Sequence, residues 1–276
     1  MAISYSINEL KELAERLTSV TELPYHELTH SFFKRRLALL FEKTAIRKTQ
    51  QFISLLEEDH FIDAVNDEFA IATTELFRDP GFWRKLRRLI TDSEIELDQQ
   101  SKVWIPNVTS GEELYSFLIL LEEAGLSGQF EIMTSHISKL SSNRVQEGII
   151  SIKKAETNNY NYKRFEGNSK LENYFGKDKS IVYLKKELLN NVKFESGFFP
   201  PEDKEHKASL VIFRNKMLYY NKSFHEKLVE QIDRNTKPGG IVCVGINETL
   251  PKCFSKRFEC IDEKESIYRK YKFLTD

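Results

Sequence analysis

The stretch 102–121 holds the residues whose types and spacing best suit ligand chemistry. A short apolar run leads into a polar turn at 107–111, and Glu112 and Glu113 then open an apolar segment at helical spacing. A strand, a turn and a helix in this order present backbone N–H groups to a ligand at the edge of an α/β sheet. The two carboxylates can accept hydrogen bonds from ligand hydroxyls or from an ammonium. An ordinary turn capped by Ser110 is an equally good interpretation of these residues alone.

A second pattern, from His26 to His30, matches the HExxH motif of zinc hydrolases. Two histidines four residues apart on one helix face can bind zinc, with Glu27 as the base. No third ligand follows at a recognised spacing, and the predicted helix turns basic at once. We therefore expect ordinary histidines at a helix start and no metal.

Two sets of basic residues are candidates for binding acidic groups. Lys34, Arg35 and Arg36 form a positive cluster on a predicted helix. That cluster is either a solvated helix face or a docking surface for an acidic protein. Arg78 lies just before a helix start marked by Pro80. It is either a surface ion-pair residue or a group that reaches out of its loop.

The composition is that of an ordinary soluble globular protein. The chain has 276 residues, of which 40% are hydrophobic and 30% charged, and its net charge of -1 gives no support for broad nucleic-acid binding. The first residues lack the apolar core of a signal peptide, and no run approaches the roughly 18 apolar residues of a membrane span. Cys243, Cys253 and Cys260 show no CxxC spacing. Reduced thiols in a cytoplasmic protein are the simplest interpretation.

Apolar periodicity predicts the elements that position these residues. The apolar spacing predicts helices over residues 1 to about 95. Beyond residue 102 it predicts buried strands, such as 210–213 and 241–244, that alternate with helices. The segment 154–180 is rich in Asn, Lys, Tyr and Gly and has poor periodicity, which is typical of an inserted lobe. The end of the chain alternates and predicts an antiparallel hairpin. We expect a largely parallel sheet covered on both faces.

Five longer passages form an ordered set: TTELFRDPGFW, KVWIPNVTSGEELYS, LVIFRNKMLYYNKSFHEKL, KPGGIVCVGINETL and FECIDEKESIYRK. Together they resemble the CheR-type chemotaxis receptor methyltransferases over nearly the whole chain. The resemblance implies an α/β fold with a small N-terminal helical domain (1–90) and a Rossmann-like methyltransferase domain (91–276). The latter would carry an inserted antiparallel β-subdomain at about 154–185 and a C-terminal hairpin. The implied activity is methyl transfer from S-adenosylmethionine to glutamate side chains of chemoreceptors, with S-adenosylhomocysteine as the product.

The resemblance also implies roles for individual positions. Arg78 and Tyr219 match an active-site arginine and tyrosine, and Glu113 matches a glutamate at the amino-acid end of the cofactor. The full set implied to contact the cofactor is Thr74, Arg78, Asn107, Glu113, Ser135, Gly197, Phe198, Arg214 and Asn215. The cluster Lys34, Arg35 and Arg36 matches a region that touches acidic receptor helices. Because an acceptor glutamate is ionised near neutral pH, the site needs alignment and exclusion of water rather than a strong base.

Several positions depart from the family pattern, mainly on the cofactor side. Asn107 and Val108 stand where the family has small residues, and Ser135 replaces an acidic residue that holds both ribose hydroxyls. Losing that charge-assisted contact weakens binding by about tenfold to more than a hundredfold. Gly197 falls where an asparagine often sits. The sequence therefore leaves two functions open: an active methyltransferase, or a weakened or inactive relative that acts as a binding or signalling module.

Overall fold

The computed structural model describes residues 5–71, 75–92, 101–200 and 205–272. The helices within these ranges are α1 (Ile7–Thr21), α2 (His30–Thr44), α3 (Thr49–Leu55), α4 (Asp59–Phe69), α5 (Pro80–Thr91), α6 (Glu112–Glu123), α7 (Lys139–Gln146), α8 (Ala155–Phe165) and α9 (Lys222–Asn235). The strands are β1 (Lys102–Ile105), β2 (Glu131–His136), β3 (Ile149–Ile150), β4 (Phe175–Asp178), β5 (Ile181–Leu184), β6 (Val192–Ser196), β7 (Ala208–Phe213), β8 (Thr236–Val244), β9 (Phe258–Asp262) and β10 (Ile267–Lys270). The predicted order, helices first and then strands alternating with helices, is confirmed.

Seven strands form the main sheet, in the order β6-β2-β1-β7-β8-β10-β9. The first five run parallel, whereas β10 pairs antiparallel with both β8 and β9 and so forms the predicted C-terminal hairpin. Strands β1, β2 and β6 are added toward one edge, and β7 then starts on the other side of β1. Ligands bind at such a reversal of strand order, outside the carboxyl ends of the strands.

Each face of the main sheet is covered by its own buried cluster. Val103 and Ile132 belong to the cluster that includes helices α5, α6 and α8. Trp104, Met133 and Val211 belong to the opposite cluster, which includes helices α1 to α4 and α9. Successive strand residues point to opposite faces, so this alternation buries nearly every side chain of the central strands. The predicted covering of both faces is confirmed.

The inserted part of the chain forms a second, antiparallel sheet in the order β3-β5-β4. Helix α8 joins this small sheet to the rest of the molecule. The ring of Phe165 stacks on Phe77 with centroids 4.5 Å apart. The side chain of Asn158 accepts the N–H of Leu76 at 2.9 Å. These contacts fix the segment that leads to Arg78.

The N-terminal helices follow ordinary end signals. Helix α1 begins with a capping box, in which Ser6 accepts the N–H of Glu9 and Glu9 accepts the N–H of Ser6. Helices α1 and α2 both end in a residue with left-handed backbone, Glu22 and Ala45. In the part of the chain that is described, no helix has the length and apolar character needed to cross a bilayer.

Candidate functional site

The turn after β1 and the residues that follow β7 meet at the reversal point, and we refer to this place as the crevice. Asn107 has a φ of 54° and Gly111 a φ of 85°, both in the left-handed region that Asn and Gly adopt most readily. A Cβ on Gly111 would lie 2.4 Å from the Tyr115 ring, so glycine is required there. Helix α6 starts immediately behind this turn, with Glu112 and Glu113 in its first turn. The predicted strand, turn and helix are confirmed.

Glu113 is buried and paired with Lys216, a residue outside the predicted site. The Nζ atom of Lys216 lies 3.1 Å from Oε2 of Glu113 and 2.7 Å from the carbonyl oxygen of Pro106. Both charged side chains are almost fully buried. The sequence holds one signal for this pair: Lys216 is a lone lysine just beyond a buried strand run, and lysine is rarely buried unless it is paired.

Ser135, near the end of β2, links the two sides of the crevice. Its hydroxyl accepts the backbone N–H of Asn107 at 3.0 Å and donates to the carbonyl oxygen of Phe198 at 3.2 Å. Gly197, with a φ of 115°, donates its N–H to the carbonyl oxygen of His136 at 2.9 Å. The structure thus brings together four of the predicted cofactor residues, which are Asn107, Ser135, Gly197 and Phe198. The serine hydroxyl is already hydrogen-bonded within the protein.

Arg214 is fully buried and holds the segment around Arg78 against the end of β7. Its Nη2 lies 2.7 Å from Oδ2 of Asp79, and its Nη1 donates to the carbonyl oxygen of Arg78 at 3.4 Å. The guanidinium carbon also lies 3.8 Å from the centroid of the Phe82 ring. Arg214 therefore makes structural contacts beside the crevice rather than offering a free cation.

Asn215 contributes polar atoms that lack partners. Its backbone N–H donates to Glu248 at 2.7 Å, and its φ of 57° turns the chain sharply after β7. Both polar atoms of its side chain, and Oδ1 of Asn107, are buried without a hydrogen-bond partner among the described residues. Buried polar atoms are nearly always satisfied, so these atoms are placed to bond a ligand or water at this edge of the sheet.

Arg78 lines a separate cleft of about 560 Å³. The other basic residues that line this cleft are Arg84, Arg164 and Lys264, and the acidic ones are Glu75, Asp79 and Glu265. The indole N–H of Trp83 donates to the carbonyl oxygen of Arg78 at 2.9 Å and so fixes its backbone. Among the described residues, the Arg78 guanidinium has no hydrogen-bond or ion-pair partner. It is therefore available to a ligand carboxylate.

Tyr219 is not among the residues that line that cleft. Its ring packs on Phe32 of helix α2 with centroids 4.7 Å apart, and its carbonyl oxygen accepts the N–H of Thr29 at 2.9 Å. The side chain is partly buried. The two residues predicted to be catalytic thus lie in different surroundings. Thr74, which was predicted to contact the cofactor, lies outside the described residues.

The basic cluster of helix α2 divides into inner and outer members. Lys34 and Arg35 are exposed. Arg36 instead lies 3.2 Å from the buried carboxylate of Glu68 and donates to the carbonyl oxygen of Ala70 at 2.9 Å. Arg36 therefore joins helices α2 and α4, and receptor binding by the cluster stays a prediction.

The HExxH pattern does not lie on one helix. His26 and Glu27 belong to a short 3-10 turn, Tyr25–Glu27, whereas helix α2 begins only at His30. The two histidines therefore do not share a helix face. Over the described residues, no group of three or more His, Cys, Asp and Glu side chains is placed to hold a metal ion.

Comparison with known protein families matches residues 72–267 to the model described as the CheR methyltransferase, SAM binding domain. The chain is similar to "Putative methyltransferase Cher3" of Pseudomonas putida, with 27% identity over 72% of this chain and 73% of the relative. It is also similar to chemotaxis protein methyltransferases of Listeria innocua and Salmonella typhimurium. The first is 22% identical over 79% of this chain and 80% of the relative. The second is 26% identical over 54% of this chain and 52% of the relative.

Two solved structures are similar at a lower level. The DhpI-SAH complex is 11% identical and covers 71% of this chain and 78% of its own, with a TM-score of 0.32. MNMC2 from Aquifex aeolicus is 10% identical and covers 89% and 85%, with a TM-score of 0.40. At these TM-scores the two structures add nothing about what this chain does.

Proposed function

The chain belongs to the CheR methyltransferase family, with its SAM-binding domain over residues 72–267, and from this premise we propose that it methylates glutamate side chains of chemoreceptors in the cytoplasm. The matched domain makes it a methyltransferase that depends on S-adenosylmethionine. The glutamate specificity, the chemoreceptor partner and the cytoplasmic location are the proposal. Relatives named chemotaxis protein methyltransferases support it.

The residues at the reversal point fit S-adenosylmethionine as the cofactor. The unpartnered Oδ1 of Asn107 and the unpartnered side-chain amide of Asn215 can bond the hydroxyls, amine or carboxylate of such a molecule. The buried carboxylate of Glu113 already holds an ammonium, the group that also ends the cofactor's amino-acid part. When bound, the cofactor supplies a methyl carbon made electrophilic by its sulfonium. The protein has to align an acceptor oxygen with that carbon and exclude water.

The observation that carries the glutamate specificity is the guanidinium of Arg78, which has no partner among the described residues and lines a cleft with three further basic and three acidic residues. An arginine binds a carboxylate through two parallel hydrogen bonds, which fixes the orientation of the acceptor as well as its position. A glutamate side chain is ionised near neutral pH and needs no base to become a nucleophile. The Arg78 guanidinium therefore suits an acidic acceptor.

The proposed receptor surface adjoins Tyr219. Phe32 of helix α2 packs on the Tyr219 ring, and the exposed residues Lys34 and Arg35 follow on the same helix. An acidic receptor helix bound there would meet positive charge close to the tyrosine. In this proposal Tyr219 orients the incoming side chain, and Lys34 and Arg35 attract the receptor.

Replacing Arg78 tests the proposal. We expect Arg78→Ala to slow methyl transfer to a chemoreceptor cytoplasmic fragment by roughly tenfold to a hundredfold, because a charge-assisted hydrogen bond contributes about 1.5–3 kcal/mol. The measurement follows radiolabelled methyl groups from S-adenosylmethionine into the fragment. Alkaline release of the label as methanol identifies a methyl ester of a carboxylate.

The control variant is Arg88→Ala, since Arg88 is an exposed arginine on helix α5, which begins just after Arg78, and it does not line the cleft. Its transfer rate should match that of the unchanged protein. An Arg78→Ala protein that is as active as Arg88→Ala would remove Arg78 from the site. Labelled fragment that resists alkali would refute the glutamate specificity while leaving the methyltransferase assignment in place.

The second function, a weakened or inactive module, is favoured by one feature of the crevice. Glu113 and Ser135, two residues that would bind the cofactor, are already bonded to Lys216, Asn107 and Phe198. A cofactor has to replace or share these contacts. Such a protein would bind receptors through the exposed residues of helix α2 with little turnover. Receptor binding without detectable methyl transfer would support this second function.

A further inference from the structure

Lys216 is a buried cation in the crevice that the proposed reaction does not use. It follows the Arg214-Asn215 pair after β7 and is 2% exposed. Its ammonium donates to two acceptors on the other side of the reversal point, the carbonyl oxygen of Pro106 and the carboxylate of Glu113. The Lys216 side chain therefore spans from the end of β7 to the end of β1 and the start of α6.

The surroundings of the ammonium show that this is not a surface contact. The Glu113 and Lys216 side chains are 4% and 3% exposed. The ring of Phe213 lies on another side of the ammonium, with its centroid 5.5 Å from Nζ. His136 is also close: burial, together with a smaller contribution from the Lys216 charge, lowers the pKa of His136 to about 4. A cation held this way is desolvated, and it requires the buried carboxylate.

The resemblance to the CheR family implies that Glu113 contacts the amino-acid end of S-adenosylmethionine, which carries the α-ammonium. Two other buried carboxylates lie near this edge of the sheet. Glu248 accepts the backbone N–H groups of Asn215, Leu218 and Gly245. Burial raises the pKa of Glu112 to about 7, so its negative charge is only partial near neutral pH. Of the three, Glu113 is the one that holds an ammonium.

We propose that the Lys216 ammonium occupies the place of the cofactor's α-ammonium on Glu113, so that the cofactor binds by displacing a cation of the chain itself. The amino-acid end of the cofactor then exchanges one ammonium for another and gains little net affinity. This inference rests on the cofactor and not on the glutamate specificity proposed above. Binding rather than turnover therefore tests it.

The unchanged protein already distinguishes the alternatives. S-Adenosylhomocysteine carries the amino-acid end, whereas 5′-methylthioadenosine lacks it. We expect calorimetric titration to give dissociation constants for the two that differ by less than about tenfold, because the exchange cancels most of the gain from a charge-assisted contact. S-Adenosylhomocysteine that binds more than about a hundredfold tighter would overturn the proposal.

The variant Lys216→Met removes the competing cation and keeps the length of the side chain. We expect S-adenosylhomocysteine to bind at least about tenfold tighter, and 5′-methylthioadenosine to change by less than about twofold. The control is Lys270→Met, which removes a partly buried lysine paired with Asp233 away from the crevice. Neither ligand should bind differently to that control.

The double variant Glu113→Gln/Lys216→Met completes the test, because it lacks both charges. It should not show the tighter binding of S-adenosylhomocysteine that we expect for Lys216→Met. Equal tightening of both ligands in Lys216→Met, or no tightening of S-adenosylhomocysteine, would overturn the proposal. If the double variant binds S-adenosylhomocysteine as tightly as Lys216→Met, that result would also overturn the proposal. If Lys216→Met does not fold by circular dichroism, the ratio of the two ligands on the unchanged protein decides.

Discussion

Glu112 and Glu113 are neighbours in sequence but have opposite electrostatic surroundings. Successive positions on a helix are rotated by about 100°, so the two side chains leave the first turn of α6 in different directions. Glu113 meets the buried ammonium of Lys216. Glu112 is also buried, and burial raises its pKa to about 7, although a hydrogen bond from Ser110 lowers it in part. Of the acidic pair, one carboxylate is therefore paired with a cation, and the other carries only a partial negative charge near neutral pH.

Glu112 should make the protein less stable as the pH rises. Its folded-state pKa lies above the unfolded value of 4.5, so between pH 4.5 and about 7 the folded chain binds more protons than the unfolded chain. The free energy of unfolding then falls with increasing pH across that window. We expect Glu112→Gln to remove up to about 3 kcal/mol of this fall. Urea unfolding at a series of pH values measures it.

The control for that measurement is Glu226→Gln, since Glu226 is an exposed glutamate on helix α9. Its pH profile should follow that of the unchanged protein. A Glu112→Gln protein whose stability falls as steeply as the control would contradict the environment assigned to Glu112.

At the scale of one element, the start of helix α5 depends on a tertiary ion pair. Pro80 takes the first helical position, as the sequence predicted. Asp79 does not cap the helix with its side chain, however, and has a left-handed φ of 56°. Its carboxylate instead lies 2.7 Å from the buried Arg214. The helix entry and the end of β7 are thus held together by one charge pair, which also places Arg78.

Removing the charge of Asp79 should destabilise the fold without straining the backbone. Asparagine adopts the left-handed region readily, so Asp79→Asn isolates the ion pair. We expect the free energy of unfolding to fall by about 2–3 kcal/mol, because Arg214 keeps a buried charge without its anion. Asp92→Asn, at the exposed end of the same helix, should change the stability little. Equal urea midpoints for the two variants would refute a stabilising role of the Asp79–Arg214 ion pair.

At the scale of the molecule, the N-terminal helices and the sheet share one core. Leu37 of α2 and Phe69 of α4 belong to the same buried cluster as Trp104, Met133 and Val211 of the sheet. The predicted division into a domain at 1–90 and a domain at 91–276 stays a prediction. A common core nonetheless implies that the two parts unfold together, since neither can expose its side of the cluster without exposing the other.

A destabilising substitution in the N-terminal helices should therefore also lower the stability of the sheet. Both tryptophans, Trp83 and Trp104, lie outside helices α1 to α4 and within residues 72–267 of the matched family domain, so their fluorescence reports on that domain. We expect Leu37→Ala to lower the free energy of unfolding by about 2–5 kcal/mol. The unfolding midpoints measured by fluorescence and by circular dichroism should fall by the same amount. Leu39→Ala is the matched control, because Leu39 lies on the same helix and is 37% exposed. A fluorescence transition that Leu37→Ala leaves unmoved would show two independent units.

Much of the fold was predictable because it depends on local patterns. Apolar periodicity distinguishes a helix from a strand within a few residues, so the helical start, the buried strands and the hairpin could be read from the sequence. The exact end of an element depends on finer contacts. A turn capped by Ser110 was one of two interpretations of these residues, and the structure has Gly111 as the N-cap of α6, with a left-handed φ of 85°.

For the candidate site, motifs were enough to predict the family, and the resemblance implied that Asn107, Glu113 and Arg214 belong to one cofactor site. They could not show how the charges pair. Glu113 and Lys216 are 103 positions apart, and they meet because β1 and β7 lie side by side where the strand order reverses. Whether a charged side chain is buried, paired or free depends on such neighbours across the sheet. No local pattern records them, so the contact that we propose governs cofactor binding emerged only with the fold.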